Sequence, residues 1–373
     1  MTLRNRFLWS KALVTKKIPV YVQYAVTKRC NLHCSTCNSN VSRTEETDLT
    51  LPEIKQLATL LRRMEVSNLV LTGGEPFIRK DIIEIARTFR NSGLDVRFQT
   101  NGFLLTPEVM EELHRVGADA MTVSLDSLNP DIQDRLTGYR NSHEKIFNAL
   151  SFLTHYGSQT QGASAINTVV SKLNVEELPA LARFATDLGL LISFIPIHSA
   201  PPDAHFIIRK ENSELTFTEK EFPLMDRVYS ELISMKKQGY LIYNSTRFLM
   251  ESPDFLKYKR IHWKCESPYL YFAISPSGHF LPCVDLDSNI DMLGGDFSKN
   301  YSQGIVQTQV RKSVDVCEGC MYACWPEFTY LFRDFRTLLE QAKQFTLSRK
   351  DAVKPFTVQG IKCLAEEVRH RER

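Results

Sequence analysis

No apolar run in this 373-residue chain approaches the roughly 18 residues that a membrane-spanning helix needs. The opening stretch, MTLRNRFLWSKALVTKKIP, is basic with a few large apolar residues, but it has neither the h-region nor the cleavage site of a signal peptide. A dominant charge is missing too. The 46 basic and 43 acidic residues leave +3, too little to argue for nucleic acid or a membrane as partner. There is no repeat and no low-complexity segment. These absences point to the cytoplasm, and nine cysteines there, an odd number, are expected as metal ligands rather than disulfides. What is present is ordinary for a globular protein: 43% hydrophobic and 24% charged residues. The length suffices for one large domain with a real core and a smaller one beside it.

From residue 20 to about 199 strands and helices alternate with short connections. The run VYVQYAVT (20–27) precedes a cysteine loop. An amphipathic helix follows from Thr50, where Thr50 and Glu53 make a capping box and Ile54, Leu57, Leu61 and Met64 share a face. NLVLTGGEP, DVRFQTNG, AMTVSLDS, SAINTVVS and LLISFIPIHS read as further strands separated by helical patterns. Six strands with five helices imply a parallel sheet, and their even spacing favours a partial (β/α)6 TIM-type barrel in an α/β fold. Thr72, Asn101, Asp126, Asn167 and His198 lie at strand C-terminal ends, the face of βα barrels that carries chemistry. The expected division is a basic arm at 1–19, the barrel core at 20–199 and a helical insertion or linker at 200–262. A cysteine-rich unit at 263–328, with a hairpin turning at Ser277-Gly278, and C-terminal helices at 329–373 complete it.

KRCNLHCSTCN (28–38) places Cys30, Cys34 and Cys37 in one loop directly after the first strand. Structural Fe–S sites supply four cysteines per [4Fe–4S] cluster, so three thiolates imply a cluster with one iron left open for a substrate or cofactor. Zinc is the alternative, with His33 completing four tetrahedral ligands.

The spacing C-x3-C-x2-C after the first strand, together with Gly73-Gly74-Glu75-Pro76 at the end of the second, resembles the radical S-adenosylmethionine superfamily over about residues 20–199. The resemblance implies that the methionyl amine and carboxylate of S-adenosylmethionine chelate the open iron. The reduced cluster then cleaves the sulfonium, and a 5′-deoxyadenosyl radical abstracts hydrogen from substrate. It implies a one-electron donor such as a flavodoxin or ferredoxin. Gly73 and Gly74 would let backbone approach the methionyl ammonium, with Glu75 adding charge or bracing the turn before Pro76. Ser124 and Asp126 match ribose-contacting positions, Asn167 is placed for the ribose or the carboxylate, and the FIPI run around Ile195 for adenine. The ordinary alternative for each polar residue is a strand-end cap or turn former. Thr36 stands where the family usually has an aromatic that packs on adenine.

Cys265, Gly278 and Cys283 are spaced C-x12-G-x4-C, and Cys317-x2-Cys320-x3-Cys324 follows. This resembles the SPASM and twitch extensions that carry auxiliary [4Fe–4S] clusters, in shortened form. Six cysteines lie outside the loop, whereas two all-cysteine clusters need eight. One auxiliary cluster is therefore expected, on Cys265, Cys283, Cys317 and Cys320, with Cys324 spare or replacing one of them. Structural zinc is again the alternative. A thiol facing a substrate radical can return a hydrogen atom, and Cys324 is the candidate, ahead of Cys363, which reads as a packed thiol.

The expected activity is hydrogen abstraction from a small organic substrate, ending in oxidation or epimerisation. With only about 29 residues before Cys30, a leader-peptide-binding or cobalamin domain ahead of the barrel is not expected. Peptide maturation is the second reading, and a non-catalytic metal-stabilised binding protein the third. The segment PPDAHFIIRKENSEL and WPEFTY are expected to shape the pocket. The basic start, with Phe7, Leu8 and Trp9, suits contact with a membrane surface, but a solvated terminal helix is its more ordinary reading.

Overall fold

The computed structural model of the chain describes residues 2–37, 47–157, 164–198, 214–350 and 354–371. In chain order the elements begin with α1 (Leu3–Thr15), β1 (Tyr21–Thr27), α2 (Leu51–Arg63), β2 (Asn68–Gly73), α3 (Ile82–Asn91) and β3 (Asp95–Thr100). Next come α4 (Pro107–Val116), β4 (Met121–Ser124), α5 (Pro130–Thr137), α6 (Ser142–Gly157), β5 (Ala165–Val170), α7 (Leu178–Asp187) and β6 (Leu191–Pro196). The remainder holds α8 (Phe222–Gln238), α9 (Thr246–Tyr258), β7 (Tyr271–Ile274), β8 (His279–Leu281) and β9 (Ile290–Asp291). It ends with α10 (Phe297–Ser302), α11 (Ile305–Asp315), α12 (Cys324–Arg333), α13 (Phe335–Lys350) and α14 (Val358–Arg371). Most of PPDAHFIIRKENSEL lies outside the described residues.

One sheet runs β6-β5-β4-β3-β2-β1-β7-β8-β9. The six expected strands are parallel and in sequence order, as a partial barrel requires. The hairpin β7–β8 is not set apart from this sheet. β7 pairs in parallel with β1, Tyr21 opposite Tyr271, and β8 and β9 follow antiparallel. The turn between them closes with Gly278 N–H donating to Ser275 O at 3.0 Å, Gly278 at φ +85°.

Strand alternation divides the barrel into two apolar regions. Val22, Tyr24 and Val26 of β1 point outward into the helix layer with Leu57, Leu61, Ile85 and Phe89. Tyr21 points the other way, with Val70 and Tyr271, and meets α12. The Trp325 ring stacks on Tyr271 at 4.8 Å and lies edge-on to Tyr21, while Phe328 sits 4.5 Å from Tyr21. An aromatic helix thus plugs the inside of the barrel at the level where β1 begins.

Helix starts follow the expected signals. Thr50 and Glu53 form the capping box of α2, and Thr106 Oγ1 accepts from Val109 N at the start of α4. Helices α5, α9, α10 and α11 were not expected from sequence. The first has only eight residues between Asn129 and Gly138, too short to display a period, and α9 contains Pro253, which reads as a breaker.

Candidate active site

The GGEP turn and the cysteine loop are hydrogen-bonded to each other. Gly74 N donates to Thr27 O and Glu75 N to Arg29 O, both at 2.8 Å. A Cβ on Gly73 would stand 2.2 Å from Thr27 O, and one on Gly74 2.1 Å from Arg29 O. In the folded chain both glycines are therefore required by the backbone of the cysteine loop itself, and Gly73 also by its φ of +133°.

Glu75 is fully buried. Its carboxylate accepts from Thr100 Oγ1 and Asn101 N at 2.8 Å and from Phe77 N at 3.2 Å. Burial pushes its pKa up to about 7 against the pull of those donors. Asn101 continues the chain of contacts: its Nδ2 donates to Asn31 Oδ1 at 2.9 Å and lies 3.9 Å from Cys30 Sγ. Glu75 therefore braces the turn, and through the end of β3 it also locks the start of the cysteine loop. Arg79, just beyond, donates to Val26 O and Leu49 O, tying the end of β1 to the chain that follows the loop.

The far side of the loop rests on α5. Ser35 N and Oγ donate to Leu136 O at 2.8 and 3.3 Å, and Gly138 lies against His33. Thr36 is buried. Two rings, Phe103 and Tyr139, pack edge-on 5.0 Å apart beyond the ends of β3 and α5, the two elements that hold the loop.

Asp126 is buried, and burial raises its pKa to about 6 although its Oδ1 accepts from Val169 N at 2.7 Å. Gln133 of α5 accepts from the N–H groups of Asp126 and Ser127, and Asn174 Nδ2 donates to Asp126 O. Ser124 ends β4, exposed, directly opposite Asn167 of β5. Asn167 is half-buried, and its side chain has no hydrogen-bond partner among the described residues. Ile195 faces inward on β6 and packs with the α12 cluster. On the same inner surface burial disfavours the charge of Arg97 of β3, while Tyr243, Tyr21 and Asp95 favour it.

The three loop thiols suit a cluster. Burial drives Cys34 far above its ordinary pKa, and Cys37, Asp126 and Cys30 act in the same direction; Cys30 is raised chiefly by burial. Such thiols stay protonated until a strongly positive centre displaces the protons. A [4Fe–4S] cluster takes each thiolate on a different iron. Among the described residues no three His, Cys, Asp or Glu side chains are drawn together closely enough to hold a metal ion, so these thiols would gather only around a bound group.

The second cysteine set lies next to the first. Val284, the residue after Cys283, packs against Ala25 of β1, and so does Cys37. Cys265 and Cys317 are among the charges acting on Cys283, and Cys283 and Cys265 among those acting on Cys320. These four thus lie within electrostatic reach of one another. Cys283 and Cys320 are buried, Cys265 is half-buried and Cys317 exposed.

Their supports come from residues that the sequence gave no reason to single out, or only as strand-end polar groups. Arg311 Nη1 donates to Cys265 O and Ser267 O at 2.7 Å, and Trp263 Nε1 to Cys320 O at 2.9 Å. His198 Nε2 accepts from Met321 N at 2.8 Å while its ring stacks on Tyr322 at 4.0 Å. Cys324 stands differently, in the first turn of the plug helix. It takes a hydrogen bond from Gln23 on the inner face of β1, with Asp285 near, and burial pushes its thiol up to about 12. Cys363 is exposed on α14.

Residues 24–185 match the family model for the radical SAM superfamily. The AdoMet-dependent heme synthase of Methanosarcina barkeri is 34% identical over 172 residues, 46% of this chain and 48% of that protein. The PqqA peptide cyclase of Bradyrhizobium diazoefficiens is 29% identical over 172 residues, 46% of this chain and 44% of that one. The chain thus spans about half the length of these curated relatives. Among solved structures, Streptococcus suis SuiB bound to the precursor peptide SuiA has the same fold. The TM-score is 0.61 at 15% identity, covering 86% of this chain and 76% of that one. The cysteine loop and the GGEP turn, interlocked at the strand ends of a partial barrel, both fall inside residues 24–185, the part of this chain that matches the radical SAM superfamily.

Proposed function

We propose that the protein cleaves S-adenosylmethionine at a [4Fe–4S] cluster on Cys30, Cys34 and Cys37 and abstracts hydrogen from a small organic substrate held in the barrel. A second, auxiliary [4Fe–4S] cluster sits on Cys265, Cys283, Cys317 and Cys320. The observation that carries this reading is that Cys37 of the loop and Val284, the residue after Cys283, both pack against Ala25 of β1. When bound, the cofactor and clusters supply the 5′-deoxyadenosyl radical and a path for single electrons.

The chain's own residues do the rest. Asn167, Ser124 and Asp126 line the cofactor side of the strand ends, and Phe103 and Tyr139 offer the aromatic surface that Thr36 does not. Arg97, Thr72, Gln99 and Thr122 give the inner face polar groups for a substrate, and α12 closes that space below. A closed space suits a small molecule better than a long peptide. Cys324, protonated and aimed inward, returns a hydrogen atom to the substrate carbon, which inverts the centre. The resulting thiyl is reset by one electron and one proton from the reductant. A peptide substrate is the second reading, favoured by the likeness to the PqqA peptide cyclase and to SuiB carrying SuiA.

Anaerobic reconstitution tests the cluster assignment. Wild type should hold about eight irons, and the variant with Cys30, Cys34 and Cys37 all changed to Ala about four, with no 5′-deoxyadenosine formed. Persistent 5′-deoxyadenosine would overturn the first site, and loss of all iron, or zinc in its place, the second. Stimulation of cofactor cleavage by the peptide fraction of a cell extract, and not by its small-molecule fraction, would replace the substrate reading. In D2O, product from wild type should carry deuterium at the inverted carbon and product from Cys324→Ala none; equal labelling removes Cys324 from the mechanism.

A further inference from the structure

Helix α1 presents an unusual outer face. Its inner side is anchored at the N-terminal ends of the barrel strands. Leu8 and Ala12 are buried, Trp9 Nε1 donates to Ser67 Oγ just ahead of β2, and Arg4 donates to Val66 O and Gly93 O. The opposite side carries Leu3, Phe7 and Val14, spaced i, i+4, i+11 and so in one stripe. They are 83%, 66% and 83% exposed, which puts three of the barest large apolar side chains among the described residues on a single thirteen-residue helix.

The charges that the helix and the residues just after it carry have one sign. Arg4, Arg6, Lys11, Lys16 and Lys17 lie in this stretch, and the first acidic residue of the chain is Glu45. Exposed Arg62 and Arg63 end α2 beside the N-terminal turn of α1, where Arg4 donates to Arg62 O. The carboxylates that reach this face are already engaged: Glu65 with Lys11, Glu266 with Arg333, and Asp95 with Arg90. Arg6 and Lys17 remain exposed beside the apolar stripe.

We propose that α1 is a docking helix for an anionic lipid surface, entering the headgroup layer with Leu3, Phe7 and Val14 while the flanking cations meet lipid phosphates. A second copy of the chain is disfavoured, because a two-fold contact would bring these cations face to face. A helix of this length is about 20 Å long and offers a strip of only about 200 Å², far below the roughly 800 Å² per partner of a stable protein interface. A bilayer has no such minimum. Since α1 lies at the N-terminal ends of the strands and the cysteine loop at the C-terminal ends, a docked protein keeps its site turned away from the lipid.

The test is co-sedimentation of the full chain with phosphatidylcholine vesicles, with or without 30% phosphatidylglycerol. Binding should appear only with phosphatidylglycerol and fall several-fold in 0.5 M salt, since each cation at such a surface contributes about fivefold. The double variant Phe7→Asn, Val14→Asn should bind at least about tenfold more weakly, with unchanged iron content and circular dichroism. Val316→Asn, equally exposed at 82% on the chain just after α11, should bind as wild type. Equal pelleting with both vesicle types, or wild-type binding by the double variant, would overturn the proposal. So would a dimer in sedimentation velocity that the double variant abolishes, which would assign the stripe to a second copy.

Discussion

Replacing Asp126 by asparagine should make the apoprotein more stable at neutral pH while weakening its hold on the cofactor. The carboxyl is buried, and its pKa stands at about 6 instead of the ordinary 3.8. The folded state thus prefers the neutral acid. Below about pH 4 the group is protonated folded or unfolded and contributes no pH dependence. As pH rises toward 6 the unfolded chain loses the proton and the folded chain retains it, so stability falls, and above 6 the loss is complete. A rise of this size corresponds to about 3 kcal/mol. Asparagine avoids that cost, and its Oδ1 can still accept from Val169 N. Urea unfolding of wild type and Asp126→Asn, at steps between pH 4 and 7.5, measures the difference directly. It should be near zero at pH 4 and reach about 3 kcal/mol in favour of the variant by pH 7. Comparing the two proteins cancels the titration of every other carboxylate. A variant less stable than wild type at pH 7, or a difference that does not change with pH, would refute the reasoning. S-adenosylmethionine binding by the reconstituted proteins gives the other half: a charge kept at this expense beside Cys34 is expected to serve the cofactor.

Gly74→Ala puts a methyl 2.1 Å from Arg29 O and should break the two hydrogen bonds between turn and loop, a loss of about 3–5 kcal/mol. Denaturation and iron analysis should show the loop's iron lost before that of the second set. Arg311→Ala leaves Cys265 O and Ser267 O without their shared donor. About 2 kcal/mol should be lost, with iron falling from the second set while 5′-deoxyadenosine formation persists. His198→Ala leaves Met321 N buried without an acceptor, at a cost of about 1–3 kcal/mol. His198→Gln, which can offer an oxygen there, should recover part of both stability and second-set iron.

The barrel was legible because its strands are bounded by turn residues and helices such as α2 and α4 start at capping residues, Thr50 and Thr106. The cysteine loop and the GGEP turn were legible because their spacing is itself the chemistry. The reason for the glycines was not. Spacing suggested room for a ligand, whereas the close neighbour is the loop's own carbonyls, a contact between residues more than forty apart in sequence. His198 was recognised only as a polar strand end, and its partner Met321 N lies 123 residues away. Gln133, which holds the backbone of Asp126 and Ser127, sits in a helix too short to announce itself. Cys324 was one member of a regular cysteine series, and only the packing of α12 inside the barrel sets it facing Gln23.

The parallel pairing of β7 with β1 also bears on how the chain can be cut or rebuilt. A fragment ending before residue 263 would contain all six barrel strands and the cysteine loop, yet it would leave β1 as an open edge with unpaired N–H and C=O groups. The inward faces of Tyr21 and Val70, stripped of Trp325 and Phe328, would be bare beside it. Such an edge is a template for strand addition between molecules, so the shortened barrel is expected to aggregate rather than to survive as a minimal catalyst. Grafting has the same restriction: a C-terminal cysteine unit transplanted from a relative must bring a first strand whose register matches Tyr21–Tyr24, because that ladder, and not a hinge, sets where its cysteines fall.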